Sequence, residues 1–206
     1  MKQAALLTAF DKTGLEDFAA SLLVLDWDLY ASQGTVKYLN NHGITDVRDV
    51  SSIVGDPILG HKVVTLSREL SAAVLGGDTL EEEVELAKLG VPKIRLVYAN
   101  LYPTRTEIER AGQTVESVKE KTDIGGPAIL RAAAKAGRIV LCRQREFPIV
   151  LKLLQGKYRA NPDTEQKICY GLASIVHGEL AKDDEALADY YGNLAGERFF
   201  NERDLL

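Results

Sequence analysis

The chain has 206 residues, 46% of them hydrophobic, with 25 lysines and arginines against 30 aspartates and glutamates. This composition is that of an ordinary globular protein, and the length fits one α/β domain. The formal net charge of -5 argues against general binding to a nucleic-acid backbone, which requires a concentrated basic surface.

Membrane insertion and secretion are also not indicated. No apolar run approaches the roughly 20 residues that span a bilayer. The N-terminus lacks the basic, apolar and small-residue regions of a signal peptide. We therefore expect a cytoplasmic protein.

The first elements predicted along the chain are two successive strand and helix units. Residues 4-10 form an apolar run of strand length. The amphipathic helix that follows is predicted to begin at Thr13, which has capping-box spacing to a glutamate three residues later. Residues 28-31 indicate a second strand, and residues 36-39 indicate a helix that a glycine ends. Two such units in succession predict a parallel sheet with helical crossovers.

The same alternation of strands and helices is predicted to continue to the end of the chain. The further predicted elements are a helix between Thr79 and Gly90, strands at 94-99 and 139-142, a short helix within 104-122, a helix over 128-135 and helical structure over 147-192. No linker divides the chain, so we predict one domain over residues 1-206, with 147-206 as its mainly helical C-terminal extension.

Two early loops have the composition of phosphate-binding loops. A parallel sheet binds its ligands beyond the carboxyl ends of its strands. Residues 11-14 offer a lysine, a hydroxyl and backbone amides at a helix start, which suits a phosphate. Residues 32-35 offer two hydroxyls around a glycine, although polar caps occur at most helices. Neither loop is a Walker A or GxGxxG motif, so ATP hydrolysis and dinucleotide binding are not indicated.

The loop at residues 123-127 has a less common composition than the two early loops. Asp123 precedes a Gly-Gly-Pro sequence, and the helix that follows carries Arg131 and Lys135 at i, i+4 spacing on one face. The glycines favour close approach by a ligand, and a solvated helix face is the alternative interpretation. Tyr102, at a strand end, is a candidate proton donor, and a partly buried structural tyrosine is its alternative.

The histidines and cysteines show no catalytic or metal-binding spacing. His42, His61 and His177 are far apart in sequence and pair with no cysteine or carboxylate, so a metal site is not predicted. His61 could contact a ligand or be an exposed polar residue. Cys142 and Cys169 are expected to be reduced and structural, and no GxSxG motif indicates a serine hydrolase.

Taken in order, five sequence motifs resemble the IMP cyclohydrolase domain of the bifunctional purine-biosynthesis enzyme that also carries an AICAR transformylase domain. The resemblance extends from about residue 4 to residue 192. Its motifs are DKTGL at 11-15, SQGT at 32-35, NLYP at 100-103, DIGGP at 123-127 and LRAAAK at 130-135. It implies a methylglyoxal-synthase-like fold, with three α/β/α layers around a mostly parallel sheet, and a homodimer.

The activity that this resemblance implies is closure of formyl-AICAR to IMP with loss of water. The carboxamide nitrogen attacks the formyl carbon, an oxyanion develops, and the resulting hydroxyl leaves as water. Such a reaction needs positioned proton donors and acceptors and no cofactor. A chain of 206 residues has no room for the transformylase domain, so formyl-AICAR is expected to come from a separate protein.

The resemblance also implies roles for individual residues. The implied catalytic residues are Lys135, Asp123 and Tyr102. The implied nucleotide-binding residues are Lys12, Thr13, Ser32, Gly34, Thr35, Lys62, Thr65, Asn100, Ile124, Gly125, Gly126 and Arg131. Four of these cations, Lys12, Lys62, Arg131 and Lys135, are expected to gather around the anionic nucleotide.

The chain departs from the family pattern at several of its motifs. Val64 stands where a catalytic lysine is expected, and Ser67 and Arg68 replace a histidine and a proline. Phe10 stands in place of a serine and Gln33 in place of a glycine. An aliphatic side chain neither donates a proton nor stabilises an oxyanion.

Three functional hypotheses therefore remain open. The first is a working IMP cyclohydrolase in which Lys62 or Arg68 compensates for the missing lysine. The second is a diverged paralogue that binds a purine nucleotide or another phosphate ligand without cyclising it. The third is a phosphate-eliminating enzyme similar to methylglyoxal synthase, suggested by the fold and by residues 76-78 (GGD), which also fit a helix-capping turn. Retention of the three implied catalytic residues favours the first.

Overall fold

The computed structural model describes residues 2–60, 63–158 and 161–196. Its sheet has five parallel strands in the order β3-β2-β1-β4-β5. The strands are β1 (Ala4–Ala9), β2 (Asp28–Ala31), β3 (Arg48–Asp49), β4 (Ile94–Asn100) and β5 (Ile139–Leu141). The parallel sheet that the repeated strand and helix units predict is confirmed.

Helices connect and cover these strands. They are α1 (Leu15–Val24), α2 (Gln33–Asn41), α3 (Ser51–Val54), α4 (Arg68–Leu75), α5 (Leu80–Leu89), α6 (Thr104–Glu109), α7 (Val115–Lys121), α8 (Gly125–Lys135), α9 (Phe147–Leu154) and α10 (Pro162–Ala195). A 3₁₀ turn at Gln144–Glu146 precedes α9. In the described ranges, no helix is both long and apolar enough to cross a membrane.

The two faces of the sheet are buried under different helices. Leu6 of β1 packs into a cluster with residues of α4, α8 and the second half of α10. Its neighbour Leu7 packs into a second cluster, built with α1, α2 and α9. This alternation is expected for a parallel strand covered on both sides. The three-layer α/β/α architecture is therefore confirmed.

Helix α10 closes the β5 edge of the sheet. Its Leu172 belongs to one of the two clusters, while Val176 and Leu180 belong to the other. The helix therefore passes from one face to the other beside the edge strand. This path brings the middle of α10 to the carboxyl end of β5.

Helix boundaries differ from the sequence expectations at four places. The predicted cap at Thr13 is wrong, because α1 follows Gly14 in the left-handed region with φ 69° and has no side-chain cap. Helices α2 and α8 each begin three residues earlier than predicted, and residues 104–122 hold two helices instead of one. The predicted cap at Thr79 is confirmed as a full capping box with Glu82.

The Gly-Gly-Asp segment at 76–78 is a structural turn. The backbone N–H groups of Gly77 and Asp78 donate to Glu82 Oε2 over 3.0 and 2.9 Å. The Asp78 carboxylate accepts hydrogen bonds from Arg138 and Arg95, both over 2.9 Å. These contacts account for the segment as a helix-capping turn, which was one of its two sequence interpretations.

Candidate functional site

The carboxyl ends of the central strands are tied together by hydrogen bonds. The backbone N–H of Asp11 donates to the Asn100 side-chain oxygen over 2.8 Å, and the N–H of Phe10 donates to the Asn100 carbonyl over 3.3 Å. Gln144, just beyond β5, donates its side-chain amide to the Asp11 carbonyl over 3.3 Å. The loops after β1, β4 and β5 therefore form one connected surface.

The first of these loops is organised by Asp11. Its carboxylate accepts from the Thr13 backbone N–H at 3.0 Å and from the Thr13 hydroxyl at 2.7 Å. These bonds hold the pKa of Asp11 below its usual value. Lys12 donates its ammonium to the Phe10 carbonyl at 3.1 Å. Both predicted binding residues of this loop, Lys12 and Thr13, thus lie at the carboxyl edge.

In the second loop, at residues 32–35, one of the predicted binding residues has a structural role. The Thr35 side chain is buried, and its hydroxyl accepts from the Ala9 backbone N–H at 3.3 Å. The Ser32 and Thr35 hydroxyl oxygens are 3.0 Å apart and share a hydrogen bond. Gly34, in the first turn of α2, is exposed. Thr35 therefore fixes α2 to β1, and Ser32 and Gly34 are the accessible part of this loop.

The start of α8 is built around Asp123 and two glycines. Asp123 Oδ1 accepts from the Gly126 backbone N–H over 2.9 Å. A Cβ on Gly126 would lie 2.6 Å from Asp123 Oδ2 and 2.9 Å from a methyl of Leu101, and a Cβ on Gly125 would collide with the Thr65 hydroxyl. The close packing of Thr65 and Asp123 therefore requires glycine at both positions.

The Asp123 carboxyl group is partly buried, and its protonation is perturbed. Burial raises its pKa, and the backbone N–H groups of Gly126 and Tyr102 partly oppose this effect. The negative charge of Asp183 on α10 adds a smaller upward contribution. A carboxylate in such an environment is a stronger proton acceptor than one in water.

Tyr102 lies beside Asp123 on an exposed aromatic and basic patch. Its side chain is 43% exposed and its ring meets the 46% exposed Phe10 ring edge-to-face, with centroids 5.3 Å apart. The Lys121 ammonium is 5.4 Å from the Phe10 centroid and 5.7 Å from the Tyr102 centroid. The side chain is therefore exposed beside a cation, which disfavours the alternative of a partly buried structural tyrosine.

A cavity of about 420 Å³ opens next to this patch, between the ends of β4 and β5 and helix α10. Arg105 donates to Glu179 over 2.9 Å and to Asp183 over 2.6 Å. Arg143, directly after β5, donates to the same Glu179 over 3.3 Å. Asn100 and Tyr102 contribute to the opposite wall, so the cavity joins the predicted site residues to a network of ion pairs.

Of two predicted cations on α8, Lys135 lies away from this edge and Arg131 is already ion-paired. Helix α8 begins at the carboxyl edge and leads into the start of β5, so its last turn lies at the opposite edge of the sheet. Lys135 is ten residues beyond Gly125, which corresponds to roughly 15 Å of helix. Arg131 is bonded to Asp184 of α10 at 2.7 Å. Within one copy of the chain, the expected gathering of Lys12, Arg131 and Lys135 is therefore not present.

Of the remaining residues singled out in the sequence, one is described by the structure and two are not. Ile124 is 60% exposed at the start of α8. Lys62 and His61 lie outside the described residues.

The departures from the family pattern have structural roles. Val64 is partly buried and packs against the hydrophobic cluster under α4 and α8. Ser67 caps α4, with its hydroxyl accepting from the Leu70 N–H at 3.0 Å. The Arg68 side chain is 78% exposed and extends beside Glu69.

Sequence reasoning missed the residues that line the cavity. Arg143 directly follows a parallel strand, and that position alone could have marked it. Arg105, Glu179 and Asp183 gave no local signal, because their pairing joins segments 74 and 78 residues apart. Lys121 closes a short polar helix and resembled an ordinary surface lysine.

The cysteines and metal-binding residue types add no further chemistry in the described ranges. Cys142 and Cys169 are free thiols, as expected, and burial raises the pKa of Cys142 to about 12. Where the structure describes the chain, no three His, Cys, Asp or Glu side chains come together as metal ligands would.

A parallel sheet covered on both faces, with polar loops and a perturbed carboxyl group at its carboxyl edge, defines an α/β domain with a candidate small-molecule site at that edge. More specifically, the chain belongs to the MGS-like domain family, whose match covers residues 14–128.

Several curated relatives extend the match over most of the chain. The "bifunctional purine biosynthesis protein PurH" of Trichodesmium erythraeum is 39% identical over 195 residues, covering 92% of this chain and 37% of that protein. The protein of the same name from Caldicellulosiruptor saccharolyticus is 32% identical over 204 residues, covering 97% and 39%. This chain therefore spans well under half the length of these relatives. The resemblance predicted from the five motifs is confirmed.

A solved structure supports the same fold. The crystal structure of ForH matches with a TM-score of 0.74 and 29% identity, covering 93% of this chain and 100% of that one.

Proposed function

We propose that this chain is an IMP cyclohydrolase, which closes formyl-AICAR to IMP with loss of water in purine biosynthesis. Its relatives are named as purine biosynthesis proteins, and its five motifs resemble their cyclohydrolase domain. The observation that carries the proposal is the partly buried Asp123 carboxyl group, which accepts from the Tyr102 backbone N–H at the carboxyl edge of the sheet.

The proposed reaction needs a base for the attacking nitrogen. As the carboxamide nitrogen bonds to the formyl carbon, one N–H proton passes to the Asp123 carboxylate, and the formyl π electrons move onto oxygen. The raised pKa of Asp123 brings this base closer to neutral pH, which favours proton transfer. The Tyr102 phenol is the proposed donor to the formyl oxygen. The resulting hydroxyl leaves as water with the proton that Asp123 holds, while the second N–H proton passes to the Tyr102 phenolate and restores the phenol.

The proposed nucleotide orientation follows from the loops. The amides of residues 12 and 14, at the start of α1, and the accessible Ser32 suit the phosphate, because helix N-termini favour anions. Thr65, Gly125 and Gly126 form a closely packed wall at the start of α8. Asn100 and the adjoining cavity would contact the ribose or base.

A catalytic role for Lys135 rests only on the family resemblance. With roughly 15 Å of helix between it and Gly125, it does not reach the Asp123 carboxyl group within one copy of the chain. Lys135→Ala therefore tests whether the family role transfers to this position.

A binding-only function is the second candidate, and Val64 is the observation that favours it. An apolar side chain packed on the core occupies the position where the family has a catalytic lysine. In that case the chain would bind IMP but would form no IMP from formyl-AICAR.

The deciding experiment follows IMP absorbance after addition of formyl-AICAR to the purified chain. Asp123→Asn should lower kcat about 100-fold or more, and Tyr102→Phe about tenfold or more. Asp163→Asn, on an exposed aspartate that forms an ion pair with Lys167, is the matched control and should leave kcat unchanged. IMP binding without turnover by the wild-type protein would favour the binding-only candidate.

A further inference from the structure

Lys121 sits at the centre of the aromatic patch on the candidate site. Its ammonium lies within 6 Å of two ring centroids, those of Phe10 and Tyr102. A cation at this distance from an aromatic face is attracted by the ring quadrupole. The two rings are in edge-to-face contact, so they hold the ammonium in one place.

The backbone of Lys121 is fixed close to the reacting groups. Its carbonyl accepts a hydrogen bond from the buried Thr104 hydroxyl over 2.6 Å. Thr104 follows Tyr102 by two residues, and Lys121 precedes Asp123 by two residues. The base, the phenol and the ammonium therefore belong to one compact unit formed by the starts of α6 and α8 and the end of α7.

Lys121 differs from the other cations near this edge in its partners. Arg105 and Arg143 are both bonded to Glu179, Arg131 is paired with α10, and Lys12 donates to a backbone carbonyl. Across the described residues, no carboxylate lies within ion-pair distance of the Lys121 ammonium.

The Glu107 carboxylate, which is affected by the charge of Lys121, is already paired with Arg110. Lys121 contributes to the lowered pKa of Glu107, but the main cause is Arg110, which donates to that carboxylate at 2.7 and 2.9 Å. The positive charge of Lys121 is therefore available to an anionic or developing negative group next to Tyr102.

We propose that Lys121 supplies the positive charge that stabilises the oxyanion at this site, with Phe10 as its positioning residue. This inference rests on the proposed cyclohydrolase function. When the carboxamide nitrogen attacks, the formyl π electrons move to oxygen while the N–H proton goes to Asp123. The Lys121 side chain interacts with that oxygen until it leaves as water.

The proposal explains two departures from the family pattern together, those at Val64 and Phe10. Val64 packs on the core and contributes no charge, while Phe10 supplies an aromatic face for an ammonium that enters from α7. The positive charge of the site would therefore come from Lys121 at the end of α7 instead of from the position of Val64.

The test compares charge variants of Lys121 in the IMP-forming assay. Lys121→Met, which keeps the length and removes the charge, should lower kcat by about 100-fold with KM changed by less than about threefold. Lys121→Arg should retain at least about a tenth of wild-type kcat, because the charge is kept. Lys119→Met, on an exposed lysine of the same helix turn, is the matched control and should be unchanged.

Phe10 is tested by a double-mutant cycle. Phe10→Leu should lower kcat about fivefold in the wild-type background and have no effect in Lys121→Met, because its role acts through the ammonium. Equal effects in both backgrounds would mean a merely structural role and would overturn the positioning part of the proposal.

The outcomes separate this inference from the function on which it rests. If the wild-type chain forms IMP and Lys121→Met keeps kcat within about threefold, the role of Lys121 is wrong and the cyclohydrolase function stands. If Lys121→Met fails to fold, Lys121→Gln and Lys121→Arg replace it, and equal kcat values for these two would overturn the inference. If the folded wild-type chain forms no IMP, both proposals are overturned together.

Discussion

The backbone N–H of Asp11 donates to the side-chain oxygen of Asn100 over 2.8 Å, and this bond joins the loops that follow β1 and β4. Neighbouring parallel strands end at one edge, but their loops diverge into different helices. A side-chain acceptor that bridges them therefore fixes the position of the loop at residues 11–14 relative to Tyr102.

Replacement of this acceptor should weaken both the fold and substrate binding. Asn100→Ala is expected to lower the free energy of unfolding by about 1 kcal/mol and to raise KM in the IMP-forming assay. Asn100→Asp keeps an oxygen at the same position and should lose less stability. Urea unfolding of the two variants checks this, and equal losses would mean that the hydrogen bond contributes nothing.

The two glycines at the start of α8 should differ in sensitivity from glycines elsewhere. Gly126→Ala brings a methyl group against Asp123 and Leu101, and we expect a loss of roughly 1–3 kcal/mol of stability. Gly178→Ala, in the middle of α10 with open space around it, should gain roughly 0.5–1 kcal/mol. Thermal unfolding compares the pair, and the prediction is wrong if Gly126→Ala is as stable as the wild type.

How much of this structure could be predicted depends on the range of the contacts. The apolar run at 4–9 and the β-branched run at 94–99 carry their strand signal locally, whereas β3 has two residues and no such signal. The loops that bear Lys12 and Asp123 were predictable because parallel strands end at one edge. The partners of Arg105 were not, since Asp183 lies 78 residues away.

Lys135 illustrates a different limit of sequence reasoning. The motif that carries it is continuous with Asp123 and Gly125 in sequence, and this suggested a shared site. The intervening residues form one uninterrupted helix, α8, and its length separates the ends of the motif. A prediction from motifs therefore needs the length of the element that carries them.

Arg138 is predicted to be important for stability although it lies outside the candidate site. Its side chain is 2% exposed, and its guanidinium donates to the carbonyls of Val74, Leu75 and Gly76 as well as to Asp78. Arg138→Met leaves these acceptors without a donor, so we expect a loss of about 3 kcal/mol in urea unfolding.

The matched control for this variant is Arg110→Met, because Arg110 is an exposed arginine on a local ion pair with Glu107. It should leave stability almost unchanged. Similar losses in both variants would show that the buried carbonyl contacts of Arg138 are not the source of its effect.

The perturbed Asp123 should leave a signature in the pH dependence of stability. Burial raises its pKa in the folded chain above the usual value of 3.8, so the folded state binds more protons than the unfolded state between these two values. The contribution of Asp123 to stability is therefore full below pH 3.8 and falls as pH rises through the folded pKa. Asp123→Asn removes this titration, and its unfolding free energy relative to wild type should increase as pH rises from 3.8 through the folded pKa.

Asp78 supplies a control of opposite sign for the same measurement. Its hydrogen bond and ion pair with Arg138 hold its pKa below 3.8, so its contribution is present above that value and is lost as pH falls through the lower folded pKa. Asp78→Asn should therefore be least costly at the acid end of the series, while Asp123→Asn is most favourable at the neutral end. Parallel pH profiles for the two variants would contradict the assignment of a raised pKa to Asp123, and with it the argument that this carboxylate is prepared to act as a base.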